Sequence, residues 1–180
     1  MHMHEDSAPV EVAEHGWRPP DLAELFERYS QEIYRLCLGM LDDPHEAEDA
    51  AQEVFLRAHR AWKRYDPRLS APRTWLGQIA MNYCRSALRR RRIRAFAQRL
   101  LGAPGPVSDD QVGARELRAD LSSALRLLDE RHRSVVLLRY YLELSCAEIA
   151  QLLQISEGTV HSRLYTARQR MQTGLEREGS

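Results

Sequence analysis

Of the 26 basic residues in this chain of 180, only one, Lys63, is a lysine. Nearly all the positive charge is therefore guanidinium, which grips phosphate through paired hydrogen bonds where an ammonium acts as a point charge. A GC-rich coding sequence would also favour arginine, so the bias alone assigns no role. Cysteine is scarce and odd in number: Cys37, Cys84 and Cys146 stand far apart, each inside a helical pattern. This argues against a disulfide framework and for reduced, small apolar side chains. No apolar run approaches the roughly eighteen residues of a membrane span, and no signal peptide is visible. No membrane insertion is expected, and the expected location is the cytoplasm. The marks of catalysis are missing too. There is no glycine-rich phosphate loop and no His, Cys and acid cluster at ligand spacing, so no cofactor and no metal are expected. Carboxylate pairs on one acidic stretch could hold Mg²⁺, but no partner set completes them. An enzyme acting on nucleic acid is thereby disfavoured.

What is present is charge, unevenly placed. Hydrophobic residues make up 43% and charged residues 29%, enough for packed cores in one domain or two small ones. The 26 acids balance the 26 bases, yet residues 1–53 hold three arginines against fourteen acids, and residues 54–99 thirteen bases against one acid, Asp66. A neutral total would argue against nucleic acid; these blocks argue for a local basic surface.

The apolar periodicity is helical throughout, and the expected fold is all-α: two small helical domains joined by a flexible linker, the second with a helix-turn-helix. Residues 1–20, with His2, His4, His15 and Pro19-Pro20, read as a flexible acidic tail. Residues 21–98 form the first domain. Leu22, Leu25, Phe26, Tyr29, Ile33, Leu36, Cys37, Met40 and Leu41 trace one helical stripe. Asp43, Pro44 and Glu46 give a capping-box start to a second helix, reaching about Trp62. Its inward side is Ala47, Ala51, Val54, Phe55, Ala58 and Trp62, and its outer side is Glu46, Glu48, Asp49, Gln52 and Glu53. Residues 99–113 are linker by composition. Its stretch Gly102–Gly113 could span about 40 Å when extended, more than one DNA turn of about 34 Å. The second domain spans 114–175. Leu117, Leu121, Leu125 and Leu128 mark one helix, and Val135, Val136, Leu138 and Leu142 another. Ser145 and Glu148 form a capping box, Gln154-Ile155 a turn, and Ser156 a cap on a last helix through about Met171. Ala150, Val160 and Leu164 face the core.

The stretch Thr74–Arg94 organises the rest. Trp75, Leu76, Ile79, Ala80, Tyr83, Ala87 and Leu88 form an apolar helical face. The helix then runs into Arg89, Arg90, Arg91 and Arg92, with Arg85 and Arg94 beside them. It offers an aromatic and an amide, Trp75 and Asn82, at one end and dense positive charge at the other. Aromatics stack on bases, amides hydrogen-bond base edges and guanidiniums hold phosphates.

Three motifs then carry a resemblance. Asp49-Ala50-Ala51-Gln52-Glu53-Val54-Phe55-Leu56-Arg57-Ala58 resembles the D-x-x-Q-E-V-F-L-R-A signature of bacterial RNA polymerase sigma factors. Thr74-Trp75-Leu76, Ile79-Ala80 and Asn82 resemble the T-W-L-x-x-I-A-x-N that follows it. Glu157-Gly158-Thr159-Val160, Ser162-Arg163-Leu164 and Ala167-Arg168 resemble the closing E-G-T-V-x-S-R-L-x-x-A-R. Order and spacing match the two-domain extracytoplasmic-function (ECF) class over about residues 21–172. The resemblance implies a non-enzymatic promoter-specificity subunit. It would bind core RNA polymerase at the clamp of the largest subunit, through Asp49, Gln52, Glu53 and Phe55, and at the flap of the second largest. Trp75, Asn82, Arg85 and Arg89 to Arg92 would engage the minus-ten element of promoter DNA and hold a flipped base. Ser156, Thr159, His161, Ser162, Arg163, Tyr165 and Arg168 would read the minus-thirty-five element. An anti-sigma factor would hold such a protein inactive.

Four positions depart from the pattern: Pro72 before the T-W-L, Gln154 at a turn position usually given to Gly, and His161 and Thr166 where Arg or Lys is frequent. The alternative is a stand-alone helix-turn-helix transcriptional regulator, which would leave the Asp49–Phe55 motif and the arginine helix unexplained.

Overall fold

The computed structural model describes residues 22–101 and 119–178, and every regular element among them is helical. The acidic tail with His2 and His4, and the glycine- and proline-rich stretch from Gly102, lie outside the described residues.

Helix α1, Leu22–Leu41, buries Leu25, Ile33, Leu36, Cys37, Met40 and Leu41, the helical stripe read from the sequence. Phe26 departs from that stripe. It is 51% exposed and meets Phe55 edge-on at 5.0 Å, at the rim of the core rather than in it. Asp42 ends the helix in the left-handed region, φ 58°, with its N–H donating to Leu38 O at 2.9 Å. Aspartate tolerates that conformation better than most side chains. Helix α2, Pro44–Ala61, starts with the Asp43 half of the expected capping box, without the returning bond from Glu46: Asp43 Oδ1 accepts from the Glu46 N–H at 2.8 Å, and Pro44 fills a first-turn position where no N–H is needed. Ala47, Ala50, Val54, Phe55 and Ala58 are its buried face. Ala50, not Ala51, is the fully buried alanine, and Trp62, in a short 3₁₀ turn after the helix, is only half-buried.

Helix α3, Pro72–Leu100, is longer than the composition suggested, because its arginines, alanines, leucines and Gln98 all favour helix and no glycine intervenes between Gly77 and Gly102. It runs through Arg99 and Leu100, two residues into the stretch read as linker. Leu76, Ala80, Met81 and Cys84 bury against α1 and α2.

The second helical unit contains α4, Ala119–Arg126, and α5, Glu130–Val136. Asp129 caps α5, accepting from the N–H groups of Arg131 (3.0 Å) and His132 (3.1 Å). Helix α5 then widens into a π turn, Leu137–Tyr141, closed by the Leu142 N–H on Leu137 O at 3.1 Å. The capping box of Ser145 and Glu148 opens α6, Cys146–Leu153, and α7 follows as Glu157–Glu178, longer than the expected end near Met171. Val160, Leu164 and Ala167 bury against α6, whose Ala150 and Leu153 face them.

One apolar core runs through both units. Two glycines make the close approach possible. A Cβ on Gly39 would stand 2.9 Å from Leu137 Cδ2, and one on Gly77 would collide with Leu142. Around this seam, Arg73 pairs with Glu32 and donates to the carbonyls of Leu142 (3.1 Å) and Tyr141 (2.9 Å). Arg133 donates to Met40 O (3.2 Å), Leu125 O (3.0 Å) and Leu128 O (3.0 Å), and Arg126 to Asp42 (3.0 Å).

Candidate nucleic-acid and polymerase interfaces

On α2 the outward strip is acidic. Asp49 and Gln52 are exposed, and Glu53 is half-buried beside Arg57, 2.8 Å away, with Arg60 at 3.9 Å. The Arg57 hydrogen bond holds the Glu53 carboxyl below its ordinary range, so Glu53 stays charged at neutral pH. Phe55 does not join this strip. It is 5% exposed because its ring completes the α1–α2 core, so any part it plays in docking is through the position of its neighbours. Two apolar residues do lie open beside the acids: Leu56, 52% exposed, and Phe26. The sequence reading missed both. Leu56 falls one helical turn after Gln52, which was the available signal.

Helix α3 carries the second surface. Trp75 is half-buried in an aromatic cluster, with Tyr65 at 4.6 Å and Trp62 at 5.8 Å between ring centroids; Trp62 and Tyr65 stack at 5.3 Å. The Tyr65 hydroxyl donates to Ser70 O at 2.8 Å and fixes the loop that carries it, while burial pushes its pKa up. Asp66 and Arg68 form a fork beside it, and the Arg68 hydrogen bonds bring the Asp66 carboxyl down to about 2. Trp62 was read only as the inward end of the second helix, and Tyr65 was not singled out. Their place around Trp75 depends on the fold of the intervening loop.

Asn82 is exposed, seven residues along from Trp75 and so about 10 Å further on the same face. Together with Arg85, Ser86, Arg89, Arg92 and Glu130 it lines an open recess of about 420 Å³. The four consecutive arginines do not act as one block, since a helix turns 100° per residue. Arg89 and Arg92 share the recess with Asn82. Arg90 lies over the ring of Tyr83 at 5.8 Å, as Arg57 does at 5.0 Å, and Arg91 lines a neighbouring recess with Leu88, Ala95 and Arg133.

The third surface is on α7. Ser156 is a capping residue first: its Oγ accepts from the Thr159 N–H at 3.2 Å and lies 2.8 Å from Thr159 Oγ1. His161, Ser162 and Tyr165 form the outward face, Tyr165 being 63% exposed with its hydroxyl accepting from Gln169 at 2.8 Å. Arg168 borders this face and donates to the Tyr140 hydroxyl, with its guanidinium over that ring at 5.7 Å. Arg163 departs from the outward face. It is half-buried and lines a recess with Arg85, Glu130 and Ile155 between the two helical units. Gln154, at φ 56° and ψ 48°, sets the turn before α7. Burial pushes the pKa of Tyr141, in the π turn, up to about 12.

Among the described residues no group of three His, Cys, Asp or Glu could hold a metal ion, and no helix is long and apolar enough to cross a membrane. The three surfaces differ in chemistry: acid with open apolar residues on α2, aromatic and amide beside guanidiniums on α3, and on α7 a helix presented by a helix-turn-helix.

Comparison with known proteins places these surfaces within two domain families. Residues 25–94 match sigma-70 region 2, and residues 118–171 match sigma-70 region 4. The chain is 31% identical over 167 residues to the ECF RNA polymerase sigma factor SigW of Bacillus subtilis, covering 85% of this chain and 88% of that protein. It is 32% identical over 157 residues to the ECF RNA polymerase sigma factor SigL of Mycobacterium tuberculosis, covering 86% and 89%. Its fold is similar to that of the sigma factor RpoE in a co-crystal structure with the anti-sigma factor NepR from Bartonella quintana, with TM-score 0.70, 20% identity and coverage of 87% and 97%. It is also similar to CnrH in complex with the cytosolic domain of CnrY, with TM-score 0.63, 22% identity and coverage of 86% and 87%.

Proposed function

The chain belongs to the ECF RNA polymerase sigma factors, which direct the polymerase to promoters, and from that premise we propose how its three surfaces divide the work. The α2 strip docks on the clamp of the largest polymerase subunit, with Asp49, Gln52 and Glu53 as its polar contacts and Leu56 as an apolar anchor. The α3 face engages the minus-ten element as a single strand. The α7 face reads the minus-thirty-five element as a duplex.

The observation that carries the α3 assignment is the run of Trp75, Asn82, Arg85, Arg89 and Arg92 along one helix face. Strand opening is favoured only by contacts that duplex DNA cannot make. An aromatic cluster to stack a base, an amide to bond its edge, and guanidiniums to hold the flanking phosphates are such contacts. Transcription initiation on this account needs binding energy and no reaction at a protein side chain. On α7, His161, Ser162 and Tyr165 enter the major groove. Arg168 is held by Tyr140 for a backbone phosphate, and Ser156 and Thr159 shape the helix start. An anti-sigma partner is part of the same reading.

Permanganate footprinting of the polymerase–promoter complex tests the α3 assignment. Asn82→Ala is expected to leave polymerase binding intact and to reduce thymine reactivity in the minus-ten region. Wild-type reactivity in that variant would remove Asn82 from the site.

A further inference from the structure

The recess that holds Asn82 already contains a negative charge. Glu130, the first residue of α5, has a side chain only 22% exposed; it pairs with Arg92, and its Oε1 lies 3.8 Å from Arg85 Nε. It is the one carboxylate among the residues lining this recess. A carboxylate and a phosphodiester present guanidinium with the same charge and the same pair of acceptor oxygens. Glu130 therefore stands where a backbone phosphate of a bound strand would lie.

The seam between the two units keeps it there. Leu137 seats on Gly39 and Leu142 on Gly77, while Arg73 clasps the carbonyls that end the π turn. Arg133, three residues after Glu130, reaches across to Met40 O, and Arg126 to Asp42. Arg163 of α7 lines a second recess that shares Arg85 and Glu130 with the first, so one arrangement takes residues of both α3 and α7 out of play.

We infer that Glu130 is an internal competitor for DNA phosphate, so that in the closed arrangement the region 4 unit occupies the single-strand site of region 2 and must lift away before the strand enters. This rests on the reading of the α3 recess as a single-strand site, and the test separates the two.

The probe is a fluorescein-labelled single-stranded oligodeoxynucleotide, titrated with the full chain at low salt without polymerase. A second readout is energy transfer between dyes on cysteines placed at Lys63 and Gln151, in a Cys146→Ser background. Glu130→Gln removes the charge and leaves the seam. Gly39→Leu with Gly77→Leu fills both notches and leaves the charge. Glu130→Gln is expected to tighten strand binding about tenfold, as expected for the loss of one competing ion pair in a partly enclosed site. The double leucine variant is expected to lose energy transfer and also to bind more tightly. Low transfer in the wild type, or unchanged affinity in Glu130→Gln while the strand still binds, overturns the inference and leaves the site reading standing. Absence of strand binding when transfer shows the units apart overturns the site reading, and the inference with it. If the leucine variant does not fold, Glu130→Gln alone decides.

Discussion

Replacing Gln154 by glycine is expected to stabilise the protein, because the backbone there has a conformation that suits glycine. Gln154 lies at φ 56° and ψ 48°. It ends α6 in a Schellman arrangement, with the Ile155 N–H on Ala150 O at 3.0 Å and the Gln154 N–H on Gln151 O at 3.3 Å. A residue with a Cβ loses about 1–2 kcal/mol in the left-handed region. Glycine removes that cost but gives up roughly 0.5–1 kcal/mol through the freedom it gains in the unfolded chain. The difference is a net gain of about 0.5–1 kcal/mol. At a chain of this size each kcal/mol moves the melting temperature by about 2–4 °C, so a rise of roughly 1–4 °C is expected. Urea titration followed by circular dichroism measures the free energy directly. Gln154→Ala is the control: alanine keeps the Cβ, so its stability should lie within about 0.3 kcal/mol of wild type. The Gln154 side chain is exposed and lies off α7, so duplex binding should not change in either variant. A loss of stability in Gln154→Gly, or an equal gain in the alanine control, would refute the reasoning from backbone strain.

Reversing charge at Asp49 and Glu53 together, to arginine, should weaken binding to core polymerase by at least tenfold, roughly the loss of two contacts in an interface rim and centre; unchanged pull-down affinity with an unchanged circular dichroism spectrum would count against the α2 assignment. Arg133→Met removes a guanidinium from three carbonyls, Met40 O, Leu125 O and Leu128 O. Hydrogen bonds from a charged donor suggest a loss of about 2–4 kcal/mol in a urea titration, allowing for water replacing some of them; a loss under about 1 kcal/mol would mean that these bonds do not hold the seam. His161→Arg with Thr166→Arg should raise affinity for minus-thirty-five duplexes and change the bases recovered from a randomised pool, since arginine offers guanine a bidentate contact that His and Thr cannot. Thr166 is only half-buried, so there is room for the longer side chain, and the same consensus at the same affinity would show that these positions do not face the groove.

Local chemistry was legible where it acts over a few residues. The cap of Asp43 and Pro44, the reciprocal Ser145–Glu148 box and the buried stripe of α1 all follow from spacing alone, while the strained Gln154 was marked by its departure from the family pattern. Contacts between distant segments were not legible. Leu137 and Leu142 fit Gly39 and Gly77 because two helical units come together, and no periodicity records that approach. The π turn escaped for a related reason: Val135, Val136, Leu138 and Leu142 suit a plain helix, and the extra residue in the turn is accommodated by packing against α1. Phe26 falls on the apolar stripe of α1 but at its edge, where α2 meets it only through the ring of Phe55. The four arginines after Leu88 read as a block in the sequence, whereas helix rotation sends two to the recess, one to Tyr83 and one to the neighbouring recess. Arg163 fits the outward face of a lone helix-turn-helix; it is drawn into the seam only because the other unit is there.

The central claim is that this chain gives core polymerase its promoter preference, and run-off transcription tests it most directly. Bacterial core polymerase is incubated with a library of promoter fragments, with and without the full chain, and the transcripts are sequenced. The account predicts transcripts from a defined subset of fragments, starting at fixed positions, that appear only when the chain is present and are reduced in Asn82→Ala. Transcripts that are the same with and without the chain, together with tight binding of the chain to duplex promoter DNA in the absence of polymerase, would contradict it and point instead to a stand-alone helix-turn-helix regulator.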